Sequence, residues 1–289
     1  MASPLVSVVM SVLDGARFLA QAVDSILAQT FHDLEFVIVD DGSTDATPKI
    51  LAELQRRDAR IQLYRQEHQG LIGSLNRGCH LARGKYVARM DADDVSHPDR
   101  IVHQVQFMQS HPNCLLLGTA AELIDFAGKR VGSLTPPGDS ETITRKLQHG
   151  NVFVHGSILM LRAALDQAGF YDESACLAED YDLWCRLARL GQVVNLTELL
   201  YSLRVHSASV SVGRIDAQLE AMYRIRSKHY GTPPPSWAER RTACADAHLR
   251  YAQIFAASAQ YRAARVHLQA AWTAKPWSPT VLRALITHL

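Results

Sequence analysis

The feature that most constrains the fold is an alternation, in the first part of the chain, of short apolar runs with longer amphipathic stretches. The apolar runs are rich in Val and Ile and are typical of strands, whereas the stretches between them repeat at helical spacing. Strands and helices in this order indicate βαβ units, so we expect an α/β fold with a mostly parallel mixed sheet and helices on both faces. Strands are predicted at 5–12, 34–39, 61–64, 86–90 and 114–118, and helices at 16–29, 44–57, 70–82 and 98–110.

The rest of the chain changes character after Gly213, where the pattern becomes helical and is interrupted by three consecutive prolines at 233–235. We therefore expect an α/β domain over residues 1–212 and a helical C-terminal appendage over residues 213–289. Within the first domain, a loop is predicted at 128–140, strands at 157–161, 192–196 and 200–204, and a helix at 180–190.

Composition excludes several classes of protein. The chain has 30 Lys and Arg against 29 Asp and Glu, which fits neither a disordered acidic protein nor a globally basic nucleic-acid binder. No stretch is apolar enough for a bilayer helix, and the N-terminus lacks the basic region of a signal peptide. The five cysteines show no C-x-x-C spacing, which indicates neither a disulfide framework nor a structural zinc site. We expect a cytoplasmic protein.

The first candidate site follows the second predicted strand, which ends in Asp40 and Asp41. Ligands of open α/β sheets bind at the carboxyl ends of strands, where a carboxylate can accept hydrogen bonds from a base or from ribose hydroxyls. The alternative is a solvated acidic turn that caps the next helix, since the segment 42–45 is rich in turn-forming residues.

The second candidate site follows the fourth predicted strand, which leads into Asp91, Asp93 and Asp94. Crowded carboxylates repel one another unless a cation neutralises them, and hard oxygen ligands suit Mg²⁺ or Mn²⁺ together with substrate phosphates. A D-x-D triplet alone occurs by chance in a chain of this length, so its meaning depends on context. The chain has no P-loop motif that would place the metal in a nucleotide hydrolase.

The third candidate site is the acidic first turn of the helix predicted at 180–190, with Glu179, Asp180 and Asp182. Acidic residues in a first turn stabilise the helix dipole, which explains their presence and favours none of them individually. As a general base, one of them would have to lie near an incoming hydroxyl.

These three sites together resemble the family 2 glycosyltransferases with the GT-A fold, over about residues 5–212. The resemblance implies that Ser11 and Asp41 lie at the base and ribose of a nucleotide sugar, with Asp40 as neighbouring support. It rests on the order and spacing of Val6-Ser-Val-Val-Met-Ser11, Val39-Asp-Asp-Gly-Ser-Thr-Asp45, Ala88-Arg-Met-Asp-Ala-Asp-Asp94, His97-Pro-Asp-Arg100, Glu179-Asp180 and Asp182-Leu-Trp184.

The same resemblance implies roles for the other acidic residues and for a histidine. Asp93 would be the direct ligand of a Mn²⁺ or Mg²⁺ ion, with Asp91 acting through ribose or water. Asp180 would be the catalytic base, with Glu179 beside it near donor or acceptor hydroxyls. His206 would be an additional metal ligand; the alternative is a surface or packing residue, because the chain has 13 histidines.

Two further residues take their expected roles from position. The segment around His155 resembles the family's segment near the acceptor, which implies that His155 lies close to the acceptor. Arg204, at the end of a predicted strand, would face the diphosphate or pair with a nearby acid.

The implied activity is the transfer of a sugar, with inversion, from a nucleoside-diphosphate sugar, a UDP-sugar in our prediction, to an acceptor hydroxyl in cell-surface polysaccharide or glycoconjugate synthesis. The Gln-x-x-Arg-Trp motif of processive synthases is absent, which favours single addition. Many relatives carry an aromatic residue and Asn where this chain has Leu13 and Asp14, so stacking of the base is in doubt there.

Two alternatives remain open. A nucleotidyltransferase would need a Gly-rich signature with Arg after the first strand, and segment 12–17 holds one Gly. A non-catalytic scaffold would bind nucleotide sugar and recruit partners through its tail, but it has no need for both Asp93 and Asp180.

The tail carries a charge of +7 over residues 213–289, beside −6 for the remainder. A basic helical surface is drawn to anionic headgroups, so we expect a peripheral contact with the inner face of the membrane, where a lipid-linked acceptor would lie. The alternative is that these charges pair with acidic groups or are solvated.

Overall fold

A computed structural model describes residues 3–207, 209–276 and 278–288. The chain forms two compact units. The first comprises residues 1–122 and 134–203, and the second comprises residues 123–133 and 204–289. The strands are β1 (Val6–Val12), β2 (Leu34–Asp40), β3 (Ile61–Arg65), β4 (Tyr86–Arg89), β5 (Val95–Ser96), β6 (Cys114–Ile124), β7 (Arg130–Leu134), β8 (Leu159–Leu161) and β9 (Gln192–Arg204).

The sheet of the described residues has the order β3-β2-β1-β4-β8-β6-β9-β5. Its first four strands are mutually parallel, as the βαβ pattern predicts. β8 then runs antiparallel to both β4 and β6, and β5 runs antiparallel to β9. The mostly parallel mixed sheet expected from the sequence is confirmed.

The apolar composition of the central strands follows from their position. All seven residues of β2 are buried, and so are six of the seven residues of β1, since helices cover both faces of a parallel sheet. The helices of the first unit are α1 (Leu19–Leu27), α2 (Thr47–Arg57), α3 (Gly70–Leu81), α4 (Arg100–Ser110), α5 (Ser140–Leu147), α6 (Arg162–Ala168) and α7 (Glu179–Leu190).

Three predicted elements were wrong in detail. Residues 192–204 form one strand rather than two, because β6 offers β9 a long partner. The segment 128–140 is not only a loop, since it contains β7. The strand predicted at 157–161 is a short 3₁₀ turn, His155–Ser157, followed by the three-residue β8.

The second unit joins a hairpin to the C-terminal helices. Within the hairpin, Asp125 N donates to the carbonyl of Lys129 over 2.8 Å. Val205 N, just after β9, donates to the carbonyl of Ile124 over 2.9 Å and so connects residues 123–133 to residues 204–289. The helices are α8 (Val210–Gly213), α9 (Ile215–Tyr230), α10 (Trp237–Ala257), α11 (Tyr261–Ala274) and α12 (Pro279–His288).

Local sequence explains the boundaries of α9 and α10. Gly231, with φ of 64°, ends α9 in the left-handed conformation that glycine adopts without strain. Ser236 and Glu239 form a capping box at the start of α10. Among the described residues, no helix is both long and apolar enough to cross a bilayer.

Some basic side chains of the tail are already engaged within the second unit. Arg240 pairs with Glu220, and Arg241 donates to the carbonyls of Thr273 and Ala274. Pairing of basic side chains within the protein is the alternative to a membrane contact that the sequence left open for residues 213–289. The membrane contact stays a prediction.

A buried carboxylate stabilises the amino-terminal edge of the sheet. Glu35 is 4% exposed and accepts hydrogen bonds from Ser7 Oγ at 2.6 Å, Arg83 N at 2.8 Å and Arg83 Nε at 2.8 Å. Burial raises the pKa of Glu35, but the hydrogen bonds from Arg83 and Ser7 outweigh it and hold the pKa below its usual 4.5.

We predict that Glu35→Gln lowers the free energy of unfolding by about 1–3 kcal/mol at neutral pH, because the charged hydrogen bonds to Arg83 are lost. A lowered folded pKa gives stability that is present above the unfolded pKa and is lost as pH falls. The difference between wild type and variant should therefore shrink as pH falls below 4.5 in urea titrations. Glu53→Gln, on the exposed side of α2, is the matched control and should show no such difference.

Candidate active site

The parallel strands bring the first two acidic sites to one edge of the sheet. β1 lies between β2 and β4, with Val12 opposite Asp40 and Val9 opposite Arg89. Because the carboxyl ends of parallel strands meet at the same edge, the residues that follow β2 and β4 flank the end of β1. Ser11, half-buried near the end of β1, lies opposite Val39 on β2.

Asp41 is almost fully buried and its carboxylate is surrounded by donors from the segment that begins α3. Oδ1 accepts from Gln66 Nε2 at 2.7 Å and from Gln69 N at 2.9 Å, and Oδ2 accepts from Gly70 N at 2.9 Å. His68 Nδ1 lies 2.8 Å from Oδ2. Burial raises the pKa of Asp41, but these hydrogen bonds outweigh it and lower the pKa below its usual value. Asp41 therefore stays ionised and fixes the 66–70 segment at the sheet edge; its contact with a base or ribose stays a prediction.

Asp40 supports the same turn. Its Oδ1 accepts from Ser43 N at 3.0 Å, and its Oδ2 lies 3.4 Å from Arg65 Nε. These contacts fix the turn after β2; the support of a nucleotide expected of Asp40 stays a prediction.

Leu13 and Asp14 are the two residues after β1 at which this chain differs from the family pattern. Asp14 has φ of 48°, and its Oδ1 accepts from Thr44 N at 2.7 Å and Asp45 N at 3.2 Å. Leu13 is 47% exposed. Asp14 therefore ties the loop after β1 to the turn after β2.

The three aspartates after β4 have different environments. Asp91 forms an ion pair with the buried Arg89, and Asp94 is buried and accepts from Tyr201 Oη at 2.7 Å. Asp93 is half-buried between them. Asp94 is enclosed, whereas Asp93 is partly exposed, so the Asp93 carboxylate can reach a divalent cation.

The donor set fits Mn²⁺ or Mg²⁺. Asp93 offers a hard oxygen ligand at a partly exposed position, and Asp91 keeps 30% of its side chain exposed despite its ion pair. Such ions bind one or two carboxylates and retain water or phosphate oxygens, which matches this arrangement.

Glu179 and Asp180 form a coupled acidic pair at the start of α7. Burial, followed by the charge of Asp180, raises the pKa of Glu179 to about 7. Burial also raises the pKa of Asp180, against hydrogen bonds to its carboxylate from Tyr181 N at 2.6 Å and Asn151 Nδ2 at 2.6 Å. A pair of this kind titrates as a unit and holds a proton acceptor close to neutral pH.

The third acidic residue of this turn has a structural role. Asp182 is fully buried, and its Oδ2 accepts from Arg186 Nε at 2.8 Å within α7. Arg186 also donates to the carbonyl of Ala168. Asp182 therefore holds α7 against the end of α6 and is not placed to act as a base.

His155 lies in an aromatic cluster with Tyr171 and Trp184. Its Nε2 lies 2.9 Å from Tyr171 Oη, and its ring meets the edge of Trp184 at a centroid distance of 5.8 Å. Burial and the charge of Arg89 lower the pKa of His155 well below its usual value, so the ring is neutral. The acceptor contact expected of His155 stays a prediction.

Sequence reasoning missed Arg89 as a functional residue. Its side chain is 5% exposed, and it pairs with Asp91. Its positive charge also offsets part of the rise in the pKa values of Glu179 and Asp180. Arg89 is therefore the positive charge shared by the second and third acidic sites. The signal in the sequence was an arginine in an otherwise apolar strand.

A second missed group joins the segments of the site. Arg100, fully buried at the start of α4, donates from Nη1 to the carbonyls of Arg89 at 3.1 Å and Gly156 at 2.6 Å. Its guanidinium also lies 5.3 Å from the ring of Tyr201, the residue that binds Asp94. Arg100 thus fixes the end of β4 relative to the turn at 155–157.

Arg204 and His206 lie in the second unit. Arg204 is buried, and its Nη1 donates to the carbonyl of Asp125 at 3.0 Å. His206 N donates to Ser209 Oγ over 3.3 Å. The roles expected of these residues toward phosphate and metal stay predictions.

Known proteins identify the family. The family described as Glycosyl transferase family 2 matches residues 7–170. The putative glycosyltransferase EpsE of Bacillus subtilis is 34% identical over 209 residues, which cover 71% of this chain and 74% of the relative. The chain therefore belongs to glycosyltransferase family 2, and it is a glycosyltransferase.

Solved structures agree on the fold. TarS of S. aureus, in complex with UDP-GlcNAc, superposes with a TM-score of 0.62 at 20% identity, covering 92% of this chain and 81% of that one. The mannosyltransferase PcManGT of Pyrobaculum calidifontis, in complex with GDP-Man and Mn²⁺, gives a TM-score of 0.61 at 19% identity, covering 99% and 80%. The fold is the GT-A fold expected from the sequence.

The coupling of the acidic pair gives a prediction that needs no substrate. In Asp180→Asn, the pKa of Glu179 should fall below about 7, because the neighbouring negative charge is removed, but it should stay above 4.5, because burial, the larger cause, remains. Carboxyl-carbon NMR of the side chain over a pH titration measures the shift. Glu173→Gln, an exposed change in the preceding segment, is the control. A Glu179 pKa unchanged in Asp180→Asn would show that the two groups do not interact.

Proposed function

We propose that this glycosyltransferase moves a sugar from a UDP-sugar to an acceptor hydroxyl with inversion and with dependence on Mn²⁺ or Mg²⁺. The observation that carries the proposal is the pairing of a partly exposed Asp93, suited to a cation, with the Glu179–Asp180 pair, whose raised pKa values suit a proton acceptor. Both groups belong to the first unit. Arg89 pairs with Asp91, two residues before Asp93, and its charge also acts on Glu179 and Asp180. TarS bound to UDP-GlcNAc and PcManGT bound to GDP-Man and Mn²⁺ support a nucleotide-sugar donor.

The proposed reaction is a direct displacement. Asp180 accepts the proton of the acceptor hydroxyl while the oxygen of that hydroxyl bonds to the anomeric carbon. The bond from that carbon to the diphosphate breaks on the opposite face, and the anomeric configuration inverts. Asp93 would hold a divalent cation, with Asp91 acting through ribose or water, and the cation would supply positive charge for the leaving diphosphate.

The surrounding residues prepare the two acidic sites for these roles. Arg89 neutralises Asp91 and limits the rise in pKa of the acidic pair. Asn151 orients Asp180 through the 2.6 Å hydrogen bond to Oδ2. Asp41 and Ser11 bind the nucleoside in this proposal. The family resemblance and the absent processive motif support single addition, in polysaccharide or glycoconjugate synthesis.

We predict that Asp93→Ala weakens Mn²⁺-dependent binding of UDP by at least about tenfold while the fold is retained, since a cation ligand is lost from a crowded acidic turn. Isothermal calorimetry with and without Mn²⁺ measures the affinity for UDP. Asp33→Ala, an exposed aspartate just before β2 at the opposite edge of the sheet, is the control. Unchanged Mn²⁺-dependent affinity in Asp93→Ala would move the metal site elsewhere.

We predict that Asp180→Asn binds donor within about threefold of wild type but loses at least about 100-fold in transfer rate, because the amide cannot accept a proton. Wild-type transfer should rise with pH through about 7, since the acidic pair must lose a proton to supply the base. Product formation against pH, beside donor calorimetry, separates binding from turnover. Transfer by Asp180→Asn at near wild-type rate would assign the base to another residue.

A further inference from the structure

Two helices of the second unit bring together three metal-binding side chains that the proposed glycosyl transfer does not use. Asp216 lies on α9, and Cys244 and His248 lie one turn apart on α10. A carboxylate oxygen, the thiol sulfur and an imidazole nitrogen from these three residues all lie within 4.8 Å of one another. Cys244 Sγ lies 2.9 Å from Asp216 Oδ1.

We propose that Asp216, Cys244 and His248 form a binding site for a transition-metal ion, with Zn²⁺ as the preferred ion. Zn²⁺ binds thiolate sulfur at about 2.3 Å and imidazole nitrogen or carboxylate oxygen at about 2.0–2.2 Å. Donors within 4.8 Å of one another reach one ion with small side-chain adjustments. A sulfur ligand distinguishes this site from the all-oxygen site proposed at Asp93, since soft thiolate favours Zn²⁺ over Mg²⁺ or Mn²⁺.

A second histidine supports the site from α11. His267 is 7% exposed, and its Nδ1 lies 2.9 Å from Nδ1 of His248. Its ring stacks on Phe255 at a centroid distance of 5.5 Å. Histidines that bind metal engage a second partner through the other ring nitrogen, which fixes the ring's orientation. With Nδ1 of His248 engaged by His267, Nε2 is the nitrogen left for the ion, and His267 is a positioning residue.

The surroundings admit a cation despite nearby arginines. Arg240 pairs with Glu220, and Arg241 donates to backbone carbonyls of α11. Asp216 and Cys244 also line a cavity of about 310 Å³, so a water molecule can complete the coordination. Binding releases the thiol proton of Cys244 to solvent and joins α9 to α10, so the ion should stabilise the second unit.

Cobalt substitution of the full chain tests the site. After treatment with chelator, the protein should bind one equivalent of Co²⁺ with a sulfur-to-cobalt charge-transfer absorption, and Zn²⁺ should displace it. The absorption should be lost in Cys244→Ser and kept in Cys176→Ser, a change at an exposed cysteine outside the cluster. It should also persist in Asp93→Ala, which separates this site from the proposed catalytic cation. No such absorption in wild type, or its survival in Cys244→Ser, overturns the proposal.

A measurement on the wild-type chain covers the case in which Cys244→Ser does not fold. Zn²⁺ should slow alkylation of Cys244 by about tenfold or more, because a coordinated thiolate is withdrawn from reaction. Cys176 is the internal control and should react at an unchanged rate, with both sites followed by peptide mass spectrometry. Equal rates at Cys244 with and without Zn²⁺ overturn the proposal.

Discussion

The ion pair between Arg89 and Asp91 is the interaction on which the active-site edge depends. Carboxylates from three segments gather around the carboxyl ends of the parallel strands and the start of α7, where burial disfavours their charged forms. Arg89 is a buried positive charge in this region and pairs with Asp91. Its charge also offsets part of the rise in the pKa values of Glu179 and Asp180. Without it, the acidic pair would bind protons more tightly and would be protonated to a greater extent at neutral pH.

Each acidic motif contains at least one buried carboxylate that binds neighbouring groups of the protein. Asp40, Asp94 and Asp182 are buried and bind Ser43 N, Tyr201 Oη and Arg186, respectively. These contacts fix the turns that carry Asp41, Asp93 and Asp180. Adjacent acidic residues in such a motif are therefore not interchangeable, because one partner holds the geometry in which the other can act.

Local pattern was enough for much of this architecture. Apolar strands followed by amphipathic helices predicted the parallel core, and strand ends followed by Asp predicted the acidic edge. The strand at 130–134 was missed because its residues are mostly exposed and two of them, Gly132 and Ser133, are weak strand formers. The contacts of Arg89 and Arg100 and the cluster of Asp216, Cys244 and His248 could not be predicted, because they join segments that only the folded chain brings together.

The loop after β1 shows how this chain differs from the family pattern in physical terms. Leu13 stands where many relatives carry an aromatic residue that could stack on a base. The next residue, Asp14, donates its N–H to Ser43 Oγ at 2.9 Å and accepts from Thr44 N at 2.7 Å. Asp tolerates the left-handed conformation at this position better than most residues. For the proposed nucleotide site, this link between two loops would reduce the conformational entropy lost on binding, so Asp14 would contribute preorganisation and not stacking.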